Sequence, residues 1–222
     1  MDYLEILFCT IIAYLIGSFP SSILLSKLIY GIDIREHGRG NASHVNVHQI
    51  LGVRPGILVQ GIDILKGVIA ARVALFVHNQ YGFFSEFEYP ILMMTFGLAA
   101  LLGHIFPIFA GYRGGKGYHV TLGILIAIHP LATTVFVLFT IGIFLISRYQ
   151  HLAYVAGAVA LSLYVLINGQ AFGEYILPMQ IFTICFSLML LVTHRRELRG
   201  IFQGTEHRTH LNFLRDRSVR EK

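Results

Sequence analysis

Charged residues are scarce in this chain of 222 residues. Asp, Glu, Lys and Arg make up 13% of it, whereas 55% is hydrophobic; an average soluble domain has about 25% charged residues. The mean hydropathy of +0.66 is typical of a protein whose apolar surface is covered by lipid. A soluble all-α protein is the alternative, but such proteins are rarely this apolar. We therefore expect an integral membrane protein.

Cysteine is equally rare, and its placement argues against several kinds of site. Cys9 and Cys185 both lie within apolar runs, where a thiol packs as a small apolar side chain more often than it forms a disulfide. The chain contains no CxxC pair and no zinc-type spacing of ligands. The sequence thus predicts neither a metal site nor a cofactor.

Long apolar runs predict an all-α, polytopic membrane fold with about seven transmembrane helices, because about 20 residues suffice to cross a bilayer. The first run is flanked by Asp2 and Glu5 and is too long for a signal peptide, so we expect it to be retained. The fourth run is only a part-span, which ends where Pro130 would stop a helix. The runs occupy residues 3–30, 53–77, 91–110, 118–128, 131–147, 152–167 and 175–193.

Basic residues in the loops predict the orientation of these helices. Alternate loops carry them, whereas the N-terminus and the loops 78–90 and 168–174 carry only acidic charges. Since basic loops remain in the cytoplasm, the N-terminus is expected outside and the C-terminus in the cytoplasm. The same bias accounts for the net charge of +5 without a nucleic-acid partner. The basic loops are residues 27–54, 111–117, Arg148 and the segment from His194 onward.

Three polar stretches share the predicted cytoplasmic side and could line one cationic cavity. They are residues 31–52 (GIDIREHGRGNASHVNVHQILG), 111–123 (GYRGGKGYHVTLG) and 193–208 (THRRELRGIFQGTEHR). Taken singly, each has a plainer interpretation. The first could be a flexible connector, the second a positively charged turn, and the third a basic tail attracted to anionic lipid.

The glycine-rich loop at residues 114–117 is the clearest candidate for binding an anion. Its glycines let the backbone approach a phosphate, Lys116 adds a full charge, and a helix starting near Tyr118 would direct its positive end to the same point. It is not a Walker A loop, which needs Gly at position 110 and Ser or Thr at position 117, where this chain has Ala and Gly. ATP hydrolysis is therefore not expected.

Two charges within the second apolar run, Asp63 and Lys66, are three residues apart and can form an ion pair on one face of a helix. Charges inside a span are costly and usually face protein or water. A pair that fixes helix packing is the simpler interpretation, and a functional role is the other.

As a set, the polar stretches resemble those of the bacterial acyl-phosphate:glycerol-3-phosphate acyltransferases, the PlsY family. The segments YLIGSFPSSILLSKL, GIDIREHGRGN, DILKG, GHIFPIFAGYRGGKG and HRRELRGIFQGTEHR occur in that family's order. The resemblance covers residues 1–208 as a single domain, followed by a cytoplasmic tail at 209–222. It implies a seven-helix protein of the bacterial inner membrane that transfers a fatty acyl group from acyl phosphate to glycerol 3-phosphate. The product would be lysophosphatidic acid, an intermediate of phospholipid biosynthesis.

Several motif positions depart from the family pattern. Arg39 stands where the family has serine, Gln49 where it has arginine, and Glu197 where it has asparagine. The family's histidine and later glutamate are kept as His194 and Glu206. Arg39 adds a charge where Gln49 removes one, so the cationic character is moved rather than lost.

The residues and the resemblance together predict the site. Imidazole titrates near neutral pH, so histidines can act as bases or donate hydrogen bonds, although such histidines can also merely satisfy backbone groups at helix ends. The predicted catalytic residues are His194, His44 and Arg39. The predicted phosphate- and substrate-binding residues are Gly114, Gly115, Lys116, Gly117, Asn41, Asn46 and His119.

Three functions remain open at this point. The first is acyl transfer to glycerol 3-phosphate within a lipid membrane. The second is the same cavity used for another phosphorylated acceptor or acyl donor. The third is a non-catalytic relative that binds a phospholipid, a headgroup or a partner protein. A transporter is more remote, because the part-span resembles a broken transporter helix but no inverted repeat is visible.

Overall fold

A computed structural model describes residues 3–81 and 88–209, and the regular secondary structure of this part of the chain is entirely helical. It contains ten α-helices, and three of the connections between them include a 3-10 turn. The predicted tail beyond Thr209 and residues 82–87 of the predicted acidic loop at 78–90 lie outside the described residues, and the rest of that loop belongs to the ends of two helices. The helices are α1 (Tyr3–Ser18), α2 (Ser21–Tyr30), α3 (His44–Leu51), α4 (Val53–Tyr81), α5 (Glu88–Ile105), α6 (Tyr118–Ile128), α7 (Pro130–Ser147), α8 (Gln150–Ile167), α9 (Ile176–Thr193) and α10 (Arg195–Phe202).

Five segments among the described residues are long and apolar enough to cross a bilayer, and the predicted all-helical fold is confirmed for these residues. Helix α4 is not one of them; it has 29 residues and carries the predicted ion pair. Helix α6 has 11 residues and ends before Pro130, as the sequence predicts for a part-span. The five segments are Leu4–Tyr30, Tyr89–Ala110, Pro130–Ser147, Gln150–Ile167 and Gly169–Thr193.

Glycines let helices α4 and α6 pack with their backbones in contact. A Cβ atom on Gly67 of α4 would overlap the carbonyl oxygen of Val120, and one on Gly123 of α6 would overlap that of Ile64. Small residues allow this close approach in membranes, where helices associate mainly through packing. The contact fixes the start of α6, and so the glycine-rich loop before it, against α4.

Buried charges tie α4 to its neighbours. Lys66 Nζ lies 2.9 Å from Asp63 Oδ1 and donates a hydrogen bond of 3.2 Å to the carbonyl of Phe19. Ser21 Oγ donates to Asp63 at 2.7 Å, and His104 Nδ1 lies 3.8 Å from the same carboxylate. The predicted ion pair is thus confirmed. It joins α4 to the bend between α1 and α2 and to the end of α5.

We predict that Gly67→Ala lowers the melting temperature of the detergent-solubilised protein, because the added methyl would have to displace backbone on α6. Overpacking of this kind costs about 1–3 kcal/mol. Gly61→Ala is the matched control on the same helix, since a Cβ at Gly61 meets no atom within 4 Å. Equal melting temperatures for both variants would show that α4 and α6 do not pack as described.

Candidate active site

A small polar cavity lies between α3, α4, α5, α6 and α8, at the C-terminal end of α9. All three polar stretches reach it: the first through His44, the second through Lys116 and His119, and the third through His194. These residues are far apart in sequence, and the helix packing brings them together. The complete lining is Ser43, His44, Val45, Asp63, His104, Lys116, Gly117, Tyr118, His119, Tyr154 and His194.

The first two glycines of the loop are docked on the end of α5. The N–H of Gly114 donates to the carbonyl of Ile105 at 3.2 Å, and that of Gly115 donates to the carbonyl of His104 at 3.1 Å. A side chain at Gly115 would overlap the His104 ring. These two amides therefore bind protein carbonyls, which have no partner within their own helix end, and do not form an open anion nest.

The positive end of α6 is the part of the loop that faces the cavity. Gly117 has φ of +90°, a left-handed conformation that turns the chain into α6. A Cβ here would also press on Leu101 at 2.6 Å. The first N–H groups of α6, from Tyr118 onward, have no intrahelical acceptor and carry the positive end of the helix dipole. An anion in the cavity would meet these groups and Lys116 together.

Lys116 is held by a carboxylate. Its Nζ lies 2.5 Å from Glu197 Oε1 and forms an ion pair with it. The Lys116 carbonyl accepts a hydrogen bond of 3.3 Å from Thr193 Oγ1. Burial lowers the pKa of the Lys116 ammonium below its ordinary value, and the Glu197 charge opposes this shift. The lysine thus borders the cavity on one side and Glu197 on the other.

Arg39 is the centre of a network of hydrogen bonds and ion pairs that includes Gln49 and Glu197. Its Nε donates to Gln49 Oε1 at 3.0 Å, and its NH1 lies 3.9 Å from Glu197 Oε1. Its NH2 donates to Glu206 Oε1 at 2.6 Å. Its NH1 also lies 3.1 Å from His151 Nε2, which must accept because a guanidinium only donates. Arg39, Gln49 and Glu197, three of the positions that the resemblance marks as replaced, are therefore neighbours in space.

The two asparagines of the first stretch are engaged in shaping their own loop. Asn46 is fully buried; its Nδ2 lies within 3.0 Å of the backbone carbonyls of residues 34, 37 and 41, and its Oδ1 accepts from the Arg39 N–H at 2.8 Å. Asn41 Oδ1 accepts from the N–H and the hydroxyl of Ser43. The contacts place Arg39 and α3, and a direct role for either amide in binding phosphate stays a prediction.

His194 lies at the C-terminal end of α9, and one of its ring nitrogens forms a hydrogen bond within the protein. Its Nδ1 lies 3.0 Å from the carbonyl of Leu190, which can only accept. The hydrogen is therefore on Nδ1, and Nε2 keeps its lone pair. Burial, with a further contribution from the charge of Lys116, lowers the His194 pKa to about 3. His194 is thus a neutral imidazole that can accept a hydrogen bond in the cavity.

His44 and His119 form one wall of the cavity. Their rings meet edge to face with centroids 4.1 Å apart. His44 Nε2 lies 3.1 Å from the hydroxyl of Tyr154, and burial holds the pKa of His44 well below its usual value. His44 therefore already has a protein partner, so its predicted catalytic role remains a prediction.

Sequence reasoning missed two residues of the site. Tyr154 has its ring near those of His44, His119, His151 and His194, and it stacks on Tyr118 with centroids 3.8 Å apart. His151 binds Arg39. Both lie in an apolar helix, where no local pattern distinguishes them from packing residues. Within the described ranges, no group of three or more His, Cys, Asp or Glu side chains is arranged to hold a metal ion.

Comparison with known proteins places this chain in a family. The sequence model described as glycerol-3-phosphate acyltransferase matches residues 7–204. A glycerol-3-phosphate acyltransferase of Pelodictyon phaeoclathratiforme is 37% identical over 89% of this chain and 93% of its own length. One from Chlorobaculum tepidum is also 37% identical, over 89% of this chain and 94% of its own length.

Two crystal structures of PlsY (YgiH), an integral membrane glycerol 3-phosphate acyltransferase, have the same fold. The glycerol 3-phosphate form superposes with a TM-score of 0.79 at 32% identity, covering 93% of this chain and 96% of that chain. The lysophosphatidic acid form gives a TM-score of 0.76 at 32% identity, covering 92% and 95%. The family match, the curated relatives and the shared fold agree, and this chain belongs to the glycerol-3-phosphate acyltransferase family.

Proposed function

We propose that this membrane protein transfers a fatty acyl group from acyl phosphate to glycerol 3-phosphate and forms lysophosphatidic acid. Family membership over nearly the whole chain supports this activity. The observation that carries it is the cavity in which Lys116, the positive end of α6 and His194 face one space. Both proposed substrates carry a phosphate, and a cation together with a helix N-terminus is a suitable site for one.

The proposed chemistry makes modest demands on the protein. Acyl phosphate is a mixed anhydride and is already activated. The acceptor hydroxyl oxygen bonds to the acyl carbon, the bond from that carbon to the phosphate oxygen breaks, and inorganic phosphate leaves with the electron pair. Holding the two substrates in line and stabilising the developing negative charge supply most of the acceleration.

His194 and Lys116 have the clearest proposed roles. The lone pair on His194 Nε2 accepts a hydrogen bond from the acceptor hydroxyl and orients it. Its low pKa makes it a weak base, which suffices because the hydroxyl proton can pass on to the departing phosphate. Lys116 and the first N–H groups of α6 neutralise phosphate charge. Arg39, held by Glu206, adds a second cation behind the lysine.

For the other predicted residues, we propose roles that follow from the contacts of their side chains and backbone groups. His44 and His119 shape the cavity wall and offer polar ring edges to substrate. Gly114 and Gly115 place Lys116, and Gly117 opens the end of α6. Asn41 and Asn46 hold the loop that carries Arg39.

We further propose seven membrane helices in a bacterial inner membrane, with the N-terminus outside and residue 209 in the cytoplasm. Helices α4 and α6 complete the five apolar segments. The distribution of basic residues supports this orientation, as does the position of Arg148, whose carbonyl accepts a hydrogen bond of 2.8 Å from the N–H of Thr209 on the same end of the bundle as the site.

A second candidate function has one observation in its favour. Lys116 is already paired with Glu197, a carboxylate at a position where the family has asparagine. A relative that binds a phosphorylated lipid without turnover would tolerate such a pairing. The assay below separates the two functions.

We predict that membranes containing the protein convert acyl phosphate and glycerol 3-phosphate to lysophosphatidic acid, measured with radiolabelled acceptor against empty-vector membranes. Lys116→Gln should lower kcat/KM at least about 100-fold, since removal of one charge-stabilising group typically costs about 3 kcal/mol. Arg113→Gln is the matched control, because Arg113 lies on the same loop but is exposed. It should stay within about twofold of the wild type.

Two outcomes would contradict this proposal. Absence of product above the empty-vector level would favour the non-catalytic function. Equal losses for Lys116→Gln and Arg113→Gln would show that the loop contributes only general positive charge.

Topology can be tested with a membrane-impermeant maleimide on whole cells, in a background where Cys9 and Cys185 are replaced by serine. Glu174→Cys and Gln203→Cys are both at exposed positions. We predict that Cys at position 174 reacts in intact cells and that Cys at 203 reacts only after permeabilisation. Labelling of both positions in intact cells would reject the proposed orientation.

A further inference from the structure

Glu197 forms an ion pair with Lys116, the lysine that the proposed function needs for binding phosphate. Its side chain is only 6% exposed, and its Oε1 lies 2.5 Å from Lys116 Nζ and 3.9 Å from Arg39 NH1. One carboxylate oxygen thus faces both cations of the network. In the structure, Lys116 has a negative partner supplied by the protein itself.

The network is neutral as it stands. Arg39 and Lys116 supply two positive charges, and Glu197 and Glu206 supply two negative charges. An incoming phosphate monoester gains little net attraction from a neutral cluster, and it is repelled by any carboxylate that remains on the lysine. Strong binding therefore requires one carboxylate to give way.

The two carboxylates differ in how firmly they are held. Glu206 accepts a well-formed hydrogen bond of 2.6 Å from Arg39. Glu197 is held through Oε1, which forms the ion pair with Lys116, whereas its Oε2 is buried without a hydrogen-bond partner in the described chain. A buried acceptor left unsatisfied is costly. Glu197 is therefore the carboxylate that yields more easily.

We propose that Glu197 is an internal competitor for Lys116, whose Oε1 the phosphate of glycerol 3-phosphate must displace. Glu197 thereby sets the affinity for the acceptor and takes no part in acyl transfer. This inference rests on the proposed function for its choice of ligand. Glu197 then adjusts the affinity for the substrate, whereas Lys116 binds the substrate directly.

Kinetics of Glu197→Gln test the inference, because glutamine keeps the shape of the side chain and removes the competing charge. We expect KM for glycerol 3-phosphate to fall about five- to tenfold with kcat within about twofold, the change expected when one moderately strong ion pair no longer has to be broken. A residue needed only for folding would not lower KM. A KM that is unchanged or raised would overturn the inference.

Glu206→Gln is the matched control, because it removes the same formal charge from the same network. It releases Arg39 from its hydrogen bond and leaves Glu197 on Lys116, so KM should not fall. If Glu206→Gln lowered KM as much as Glu197→Gln, the effect would be one of total charge, and the specific competition for Lys116 would be rejected.

Direct binding separates this inference from the proposed activity. In thermal-shift titrations of the purified full-length protein, Glu197→Gln should need about five- to tenfold less glycerol 3-phosphate for half the maximal shift. Tighter binding in an enzyme that forms no lysophosphatidic acid would support the competition while rejecting the activity. Should Glu197→Gln fail to fold, Glu197→Asp keeps the charge but shortens the reach, and binding no tighter than wild type would then overturn the inference.

Discussion

The docking of the glycine-rich loop on the end of α5 is the contact on which the rest of the site depends. The N–H groups of Gly114 and Gly115 bind carbonyls that the helix end leaves without partners. Such a close approach is possible only without side chains, since a Cβ on Gly114 would overlap the His104 carbonyl. The loop then leads directly into α6 and leaves Lys116 between the cavity and α10. An apolar bundle thereby carries a charged group at a fixed position.

Charge compensation is the second constraint. The resemblance implies that Arg39, Gln49 and Glu197 each differ from the family pattern, and the three side chains form one network with Lys116. On the pattern that the resemblance implies, Arg39 supplies the cation that Gln49 does not, and the carboxylate of Glu197 offsets positive charge around Lys116. Considered one at a time, these residues suggest a damaged site. As a connected group they indicate a site with its charges rearranged, which is compatible with retained activity.

Much of the fold could be predicted because it depends on local pattern. Apolar runs gave the helices, Pro130 gave the end of α6, and the spacing of Asp63 and Lys66 gave their ion pair. Partners set by tertiary packing could not be predicted. No local signal shows that the amides of Gly114 and Gly115 turn towards α5, or that Asn46 holds its own loop.

The sequence predicted which residues belong to the site better than it predicted which of them contact one another. Lys116, His119 and His194 were identified from motif and position, and helix packing brings them to one cavity. Tyr154 and His151 were missed because an aromatic ring or imidazole in an apolar helix looks like packing. The pairing of Lys116 with Glu197 was also missed, since 81 positions separate them and only the fold joins them.

We propose that three distant segments meet around Lys116 to hold an anionic headgroup. An experimental structure of the full-length protein with glycerol 3-phosphate tests it most directly. The account predicts the phosphate within hydrogen-bond distance of Lys116 Nζ and of the first N–H groups of α6, with Glu197 displaced from the lysine. A phosphate bound elsewhere, with the pair of Lys116 and Glu197 intact, would contradict the account.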